Sequence, residues 1–381
     1  MASNLEQLTD QLISIRRNLH ENPELSYEEF KTTKAIKNWL EEKNITIINS
    51  SLETGVIAEI SGNSNGPLIA IRADIDALPI QEETNLSYAS KIHGKMHACG
   101  HDFHTAAIIG TAYLLKEREP SLNGTVRFIF QPAEESSNGA CKVIEAGHLH
   151  GVQAIFGMHN KPDLPVGTIG IKDGPLMAGV DRFEIKIHGV GTHAAVPDAG
   201  VDPSVASSQI VMALQTIVSR NISSSHNAVV SVTNIHSGNT WNVIPEKAIL
   251  EGTVRTFQAE TREKIPALME RIIKGVSDAL GVKTEFHFHS GPPAVHNDES
   301  LTHLCTQTAQ EMSLDVITPT PSMAGEDFSF YQQHIPGSFV FMGTSGTHEW
   351  HHPSFTVDER ALPISAEYFT LLAEKALKHF S

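Results

Sequence analysis

The 381-residue chain is poor in cysteine, with only Cys99, Cys141 and Cys305. An odd and sparse set argues against a disulfide framework and for a reducing compartment, the cytoplasm. The chain also lacks any apolar run near the ~18 residues that a membrane span requires. Positive charge is scarce: 28 Lys and Arg stand against 44 Asp and Glu, for a formal net charge of −16. A surface of that sign repels phosphate backbones, and no Lys/Arg-rich run offsets it, so neither nucleic acid nor a membrane is an expected partner. Internal repeats and low-complexity segments are absent as well. The opening residues do not read as a signal peptide. Leu5, Leu8, Leu12, Ile15 and Leu19 fall instead at the 3–4 spacing of an amphipathic helix.

What remains is an ordinary globular composition and enough length for two domains. Pro23 follows the first helix, and Ser26 with Glu29 has the pattern of a capping box opening a second, which carries Phe30, Ile36 and Leu40. Short apolar runs follow at Val56–Ile60, Leu68–Ile71, Val126–Phe130 and Ala154–Met158, with helical stretches around His104–Lys116 and Ala140–Ala146. That alternation predicts an α/β layer with a mixed, largely parallel sheet. Near residue 179 the pattern changes. Strands at Asp181–His188, Ala228–Ile235, Ala248–Phe257 and Lys283–His289, with helices at Asp202–Arg220 and Arg262–Leu280, give the order β-α-β-β-α-β. After the Gly291-Pro292-Pro293 break come a helix from Glu299, a strand at Ser338–Met342 and a closing helix near Ser365–Phe380. The expected architecture is a discontinuous α/β domain of residues 1–178 and 292–381, interrupted by a ferredoxin-like βαββαβ domain of residues 179–291.

Five segments concentrate metal-ligand residue types. IRADIDALP carries Asp74 and Asp76 just past one apolar strand, and FIFQPAEE carries Glu134 and Glu135 past another. MHACGHDFHTA packs His97, Cys99, His101, Asp102 and His104 into eight residues. His159 ends a third strand in IFGMHN, and EWHHPSF adds His351 and His352. Any one of these residues alone would pass for a packed or solvated side chain. Delivery of carboxylate and imidazole at three separate strand ends, where open α/β sheets bind their ligands, is hard to explain by packing.

Thiolate with imidazole favours Zn, carboxylate with imidazole tolerates Mn, and an all-oxygen Ca or Mg site would not recruit Cys99. The donors are too many for one four-coordinate ion. Two ions about 3.5–4 Å apart polarise a carbonyl and make hydroxide available near neutral pH. In the Glu134-Glu135 pair one carboxylate can ligate while its neighbour moves a proton from water to a leaving amine. Cys141 and Cys305 fall in helical patterns and read as core.

RRNLHENPELSYEE, RADIDALP, HACGHDFH, QPAEE, GMHN, GTHAAVP, NVIPE, GEDF and WHHPSFTVDE stand in an order that closely resembles the M20 metallopeptidases. Specifically they resemble the aminoacylase/amidohydrolase branch, which holds N-acetyl-amino-acid deacetylases, hippurate hydrolases and auxin-conjugate hydrolases. The similarity runs from Arg16 to Glu359. It implies Cys99, His101, Glu135, His159 and His351 as metal ligands and Glu134 as general base. The branch has Leu-His-Ser-Pro at the last ligand, and alignment on Pro353 selects His351 over His352. The wider family has His-x-Asp where this chain has Asp74-Ile75-Asp76; Cys99 compensates, and Asp76 supports the ligands instead of joining them.

The resemblance makes the inserted domain a lid that also dimerises. Its loop histidine, His193, reaches the scissile carbonyl, and Asn242 is a neutral donor suited to the oxyanion or the substrate carboxylate. Arg255 can meet an anion, and Gly325 of GEDF lets a bound carboxylate approach the backbone. The implied activity is metal-dependent hydrolysis of the amide bond of N-acyl-L-amino acids, by a homodimer that carries two Mn or Zn ions per subunit. The alternatives are a dipeptidase or aminopeptidase on the same scaffold, or a non-catalytic metal-binding relative, which the retained Glu134 disfavours.

Overall fold

The structure, a computed structural model, describes residues 2–62 and 65–381, apart from the side chains of residues 2–5, Leu5 among them. The chain forms two compact units. One comprises the residues up to Leu176 with His296–Thr320 and Asp327–Ser381; the other comprises Met177–Val295 and Pro321–Glu326.

Apolar runs of Val, Ile, Phe and Ala form the middle of an eight-stranded sheet in the first unit. Thr125–Gln131, Leu68–Asp74, Val152–Lys161 and Gly337–Gly343 lie side by side and parallel. Nearly every residue in them is buried, as strands covered on both faces require. Val56–Ser61 and Thr46–Ile48 extend one edge antiparallel. On the other side Thr168–Gly170 lies antiparallel to Gly337–Gly343 and is paired in turn, in parallel, with Asp315–Ile317. The strands outrun the apolar patches that mark them in the sequence, because main-chain pairing continues past the last apolar side chain. Asp74 is therefore the final residue of its strand, opposite Gln131, and His159 lies within Val152–Lys161, opposite Phe341.

Helix His101–Glu117 is buried from His101 to Tyr113; residues 106–110 are apolar or glycine, while Asp102 and His104 at its start are buried with polar partners. It packs between Ala2–Glu21 and Ala361–His379. The first helix turns Leu12, Ile15 and Leu19 into the core, fully or nearly buried, each stabilising by roughly 1.5–3 kcal/mol. The capping box expected at Ser26 and Glu29 does not form. Glu29 is the residue before helix Phe30–Glu42 but makes no side-chain cap. Ser26 Oγ donates to Asp76 instead, and Glu29 accepts from Thr54 Oγ1 and the Ala133 N–H. Ile36 and Leu40 of that helix are buried, whereas Phe30 is exposed. Cys305 lies in the core as expected; Cys141, on helix Gly139–Glu145, is only half-buried.

The second unit holds a four-stranded antiparallel sheet in the order Ala228–Ser237, Lys247–Thr256, Gly179–His188, Lys283–Ser290. Strict alternation in Gly179–His188 sends Phe183, Ile185 and Ile187 inward, where they meet Ile210 and Leu214 of helix Pro203–Leu214 and Ile265, Met269 and Ile273 of helix Ala259–Leu280. The first of these helices ends at Leu214, short of the expected Arg220, and continues as a wider turn over Ile217–Asn221. A separate ribbon pairs Thr192–His193 with Val243–Ile244.

Candidate metal centre

The four parallel strands all end at one edge of the first unit's sheet, and the polar residues gather there. Asp74 closes one strand, the Pro132–Glu135 turn follows the next, and His159 with Asn160 lies near the end of a third. Gly100 leads into helix His101–Glu117 with φ +89°, and a Cβ on it would stand 2.3 Å from Asn160 Nδ2. Only glycine lets the segment from Cys99 to His101 lie this close to Asn160, the neighbour of His159.

Cys99 Sγ is 3.4 Å from His159 Nε2, and the two cluster with a ring nitrogen of His101. Glu135 Oε1 stands 3.9 Å from His101 Nε2 and 3.5 Å from His351 Nε2. Cys99, His101, Glu135, His159 and His351 thus converge. The geometry also decides which of the adjacent histidines faces this cluster: His352 instead stacks on His348, centroids 4.2 Å apart, and accepts from the Ser354 N–H.

The donor chemistry fits divalent cations. His101 Nε2 and Glu135 Oε1 are buried with no hydrogen-bond partner, a costly state unless a cation satisfies both. His101 donates Nδ1–H to the Asp76 carbonyl at 2.9 Å, which leaves Nε2 for an ion. Burial opposes its charging, but Asp74, Asp76 and Glu135 outweigh that and push it up to about 10: the cluster calls for positive charge. Burial, then Glu135, Glu134 and Asp74, drive the Cys99 thiol well above its usual value, so a thiolate there needs a cation beside it. Burial holds His159 well below its ordinary value and hence neutral, the form that ligates.

Around this cluster lies a supporting layer. The Asp76 carboxylate accepts from Ser26 Oγ at 2.7 Å and from the N–H groups of Glu134 and Glu135 at 3.1 and 3.0 Å. Asp74 accepts from His104 Nδ1 and Arg72 Nη1, both at 2.6 Å. Burial would raise its pKa, but His101, Arg72 and His104 hold it well below the usual carboxylate range. His104 in turn accepts the Asn160 N–H. Asp102 turns away to Arg16 and His20, each at 2.8 Å. His97 is buried without a partner for either ring nitrogen; burial takes it down to about 4.

Sequence reasoning missed Arg72, Gln131 and Glu29. Arg72 is wholly buried and bonds Gln131, Asp74 and Asp327. The available signal was an arginine inside an otherwise apolar strand, where a charge survives only if paired. In the second unit, His193 is exposed and Asn242 half-buried. The ribbon brings them together, with the Ala194 N–H donating to the Asn242 carbonyl at 3.1 Å. Arg255 is half-buried on Lys247–Thr256. Gly325 has a packing reason to be glycine that the sequence did not reveal: a Cβ there would stand 2.4 Å from Val180 Cγ2.

Fold and site together define a metal-binding hydrolase of the α/β class. The chain belongs to peptidase family M20/M25/M40, whose family model matches residues 70–375. It is 58% identical to an N-acetylcysteine deacetylase of Bacillus subtilis (strain 168), covering 95% of this chain and 96% of that one. An IAA-amino acid hydrolase of Arabidopsis thaliana is 39% identical, over 98% of this chain and 88% of its own. Among solved structures, a Bacillus subtilis dinuclear metal-binding peptidase of the M20 family superposes with a TM-score of 0.90 at 54% identity, covering 98% of this chain and 99% of that one.

Proposed function

We propose that the protein hydrolyses the amide bond of N-acyl-L-amino acids, with two Mn or Zn ions per subunit held by Cys99, His101, Glu135, His159 and His351. The observation that carries this is the convergence of those five donors beside a sixth group, Glu134. The relative named for N-acetylcysteine makes small N-acyl groups on small amino acids the first substrates to try. Ions held there would supply polarisation of the scissile carbonyl and a more acidic water. Glu134 takes the proton from the attacking water and hands it to the leaving nitrogen. Its turn is steadied by Asp76, and its Oε1 accepts the Asp327 N–H at 3.3 Å.

Residues 1–178 and 292–381 form the catalytic domain in this reading, and the ferredoxin-like domain of residues 179–291 is a lid. His193 and Asn242 on that lid act as oxyanion donors. In support, His193 Nδ1 accepts the Ala195 N–H at 3.0 Å, so the neutral ring carries its proton on Nε2. Asn242 Oδ1 accepts from Thr240 Oγ1, which leaves its NH₂ to donate. The protein is taken to be a homodimer through the lid. Ala228–Ser237 is an edge strand, and Ile235, Met212 and Val205 are 57%, 71% and 48% exposed, features that favour pairing with a second copy. No helix among the described residues is long and apolar enough to cross a membrane. A cytoplasmic setting would keep the Cys99 thiol reduced.

The test is turnover of N-acetylcysteine, N-acetyl-methionine, hippurate and a dipeptide, before and after chelation and with Mn or Zn restored. Chelator-sensitive cleavage of the N-acyl amino acids is expected. Cleavage of the dipeptide alone would favour the peptidase alternative, and turnover unchanged by chelation would overturn the metal assignment.

A further inference from the structure

Trp350 stands where the segments bearing three of the five donors meet. Its Nε1–H donates to the main-chain carbonyl of Asn160 at 3.1 Å, the same oxygen that accepts the His159 Nδ1–H at 2.9 Å. The indole lies against the His159 imidazole, with ring centroids 4.4 Å apart at 56°. On its other contacts, Lys161 Nζ is 4.9 Å from the ring centroid and is itself held by Asp163 at 2.7 Å. Asn160 also donates Nδ2–H to the Cys99 carbonyl at 2.6 Å. The residue after Trp350 is His351, whose N–H donates to the Ala98 carbonyl at 2.9 Å and whose φ of +64° is held against its own preference. One tryptophan therefore links the Cys99 segment, the His159 strand and the His351 loop.

We propose that Trp350 is a positioning residue that sets how tightly the divalent ions are held; this rests on the metalloenzyme reading above. Two donors converging on the Asn160 oxygen keep it fixed, so His159 stays committed through Nδ1–H and presents Nε2 to an ion. Groups that orient a ligating histidine in this way change metal affinity by about 10–100-fold when removed. The indole face limits tilting of the imidazole and covers it from water. The Trp350–Asn160 bond also secures the loop that carries His351, which is 53% exposed and has little packing of its own. A leucine or phenylalanine at this position would fill space but leave the carbonyl with one donor fewer.

The experiment measures Zn and Mn affinity of the wild-type protein, Trp350→Phe and Trp350→Leu by competition with a chromophoric chelator. Thermal unfolding of the metal-free forms checks the fold. Trp350→Phe, which keeps a ring face, is expected to weaken binding about tenfold, and Trp350→Leu more, up to about 100-fold. Metal-free unfolding midpoints should stay close to wild type, and excess Mn should restore most of the turnover. A second readout leaves Trp350 in place. The chain's other tryptophans are Trp39 and Trp241, so a Trp39→Phe/Trp241→Phe protein reports on Trp350 alone, and its emission should change when Zn is added. Unaltered affinity in both Trp350 variants, or no emission change in the double variant, overturns the proposal while wild type still loads metal. A wild-type protein that takes up no ion overturns the metal reading itself, and this proposal with it.

Discussion

Glu134 and Glu135 share one turn and one anchor, the Asp76 carboxylate that accepts both their N–H groups, yet their carboxylates keep different company. Glu135 faces His101 and His351, whereas Glu134 accepts from the Asp327 main chain. Metal content and turnover should therefore separate in a single panel. Glu135→Ala and His351→Ala should lose bound metal on dialysis. His352→Ala should keep it, and so should Glu134→Ala, with kcat lower by about two to four orders of magnitude. Metal lost from Glu134→Ala but kept by Glu135→Ala, or a larger loss for His352→Ala than for His351→Ala, would reverse these assignments. The residue types of the centre were legible in the sequence because Glu134, Glu135 and His159 follow or close apolar runs that mark strands, while Cys99, His101 and His351 crowd into short His-rich segments. Their supports were not. Asp76 reaches Glu134 across 58 positions and Arg72 reaches Asp327 across 255, and no local pattern encodes a partner that distant.

Among the elements, the turn of residues 132–135 shows how a local pattern misleads. Ser26 and Glu29 have capping-box spacing, but the stronger demand comes from Ala133, held at φ +56°, whose N–H needs a buried acceptor. Glu29 supplies it at 2.8 Å, with its other oxygen on Thr54. Burial pushes this carboxyl up to about 7. A folded-state pKa above the unfolded one means that the folded protein holds a proton which the unfolded chain releases. The stability linked to Glu29 is then fully present below about pH 4.5 and is lost as pH rises toward about 7. At about 1.4 kcal/mol per unit, the span is of order 3 kcal/mol as an upper bound. Glu29→Gln cannot ionise, so its unfolding free energy should gain on wild type between pH 5 and 7 and run parallel above about pH 8. Denaturant melts across that range check it; a difference that does not vary with pH would remove Glu29 as the titrating group. The order of the long strands and helices, by contrast, was legible, since alternation and 3–4 spacing are short-range. Three-residue strands such as Thr46–Ile48, Thr168–Gly170 and Asp315–Ile317 hold too few positions to show a period. Boundaries shifted where main-chain pairing outran the apolar residues, as at Asp74 and His159, where a helix widened into a turn after Leu214, and at helix starts, which lie earlier at His101, Ala259 and Ala361.

At the scale of the whole molecule, the change of pattern near residue 179 coincides with the first strand of the four-stranded antiparallel sheet, in which Gly179–His188, Ala228–Ser237, Lys247–Thr256 and Lys283–Ser290 pair with one another. In a homodimer, what that sheet and its helices do for the reaction would depend on the second copy of the chain, which a sequence of one subunit does not describe. If the exposed edge Ala228–Ser237 and the apolar side chains Ile235 and Met212 pair two lids about a two-fold axis, His193 serves the partner's cleft. Its Nε2–H then donates to the developing oxyanion, a contribution of roughly 3–4 kcal/mol when such a donor is removed, or about 10²–10³ in kcat. Glu134→Ala and His193→Ala homodimers should each be nearly inactive. Exchange of subunits between them creates one complete site per mixed dimer, with wild-type Glu134 from one chain and wild-type His193 from the other. At full exchange half the dimers are mixed and each carries one working site of two, so the mixture should recover about a quarter of wild-type turnover. Differently tagged subunits, separated after mixing, confirm that exchange took place. Mixed dimers as inactive as their parents would mean that His193 works within its own subunit. Full activity in His193→Ala alone would mean that His193 is not a catalytic group, and the oxyanion would then be left to Asn242 and to any bound cation.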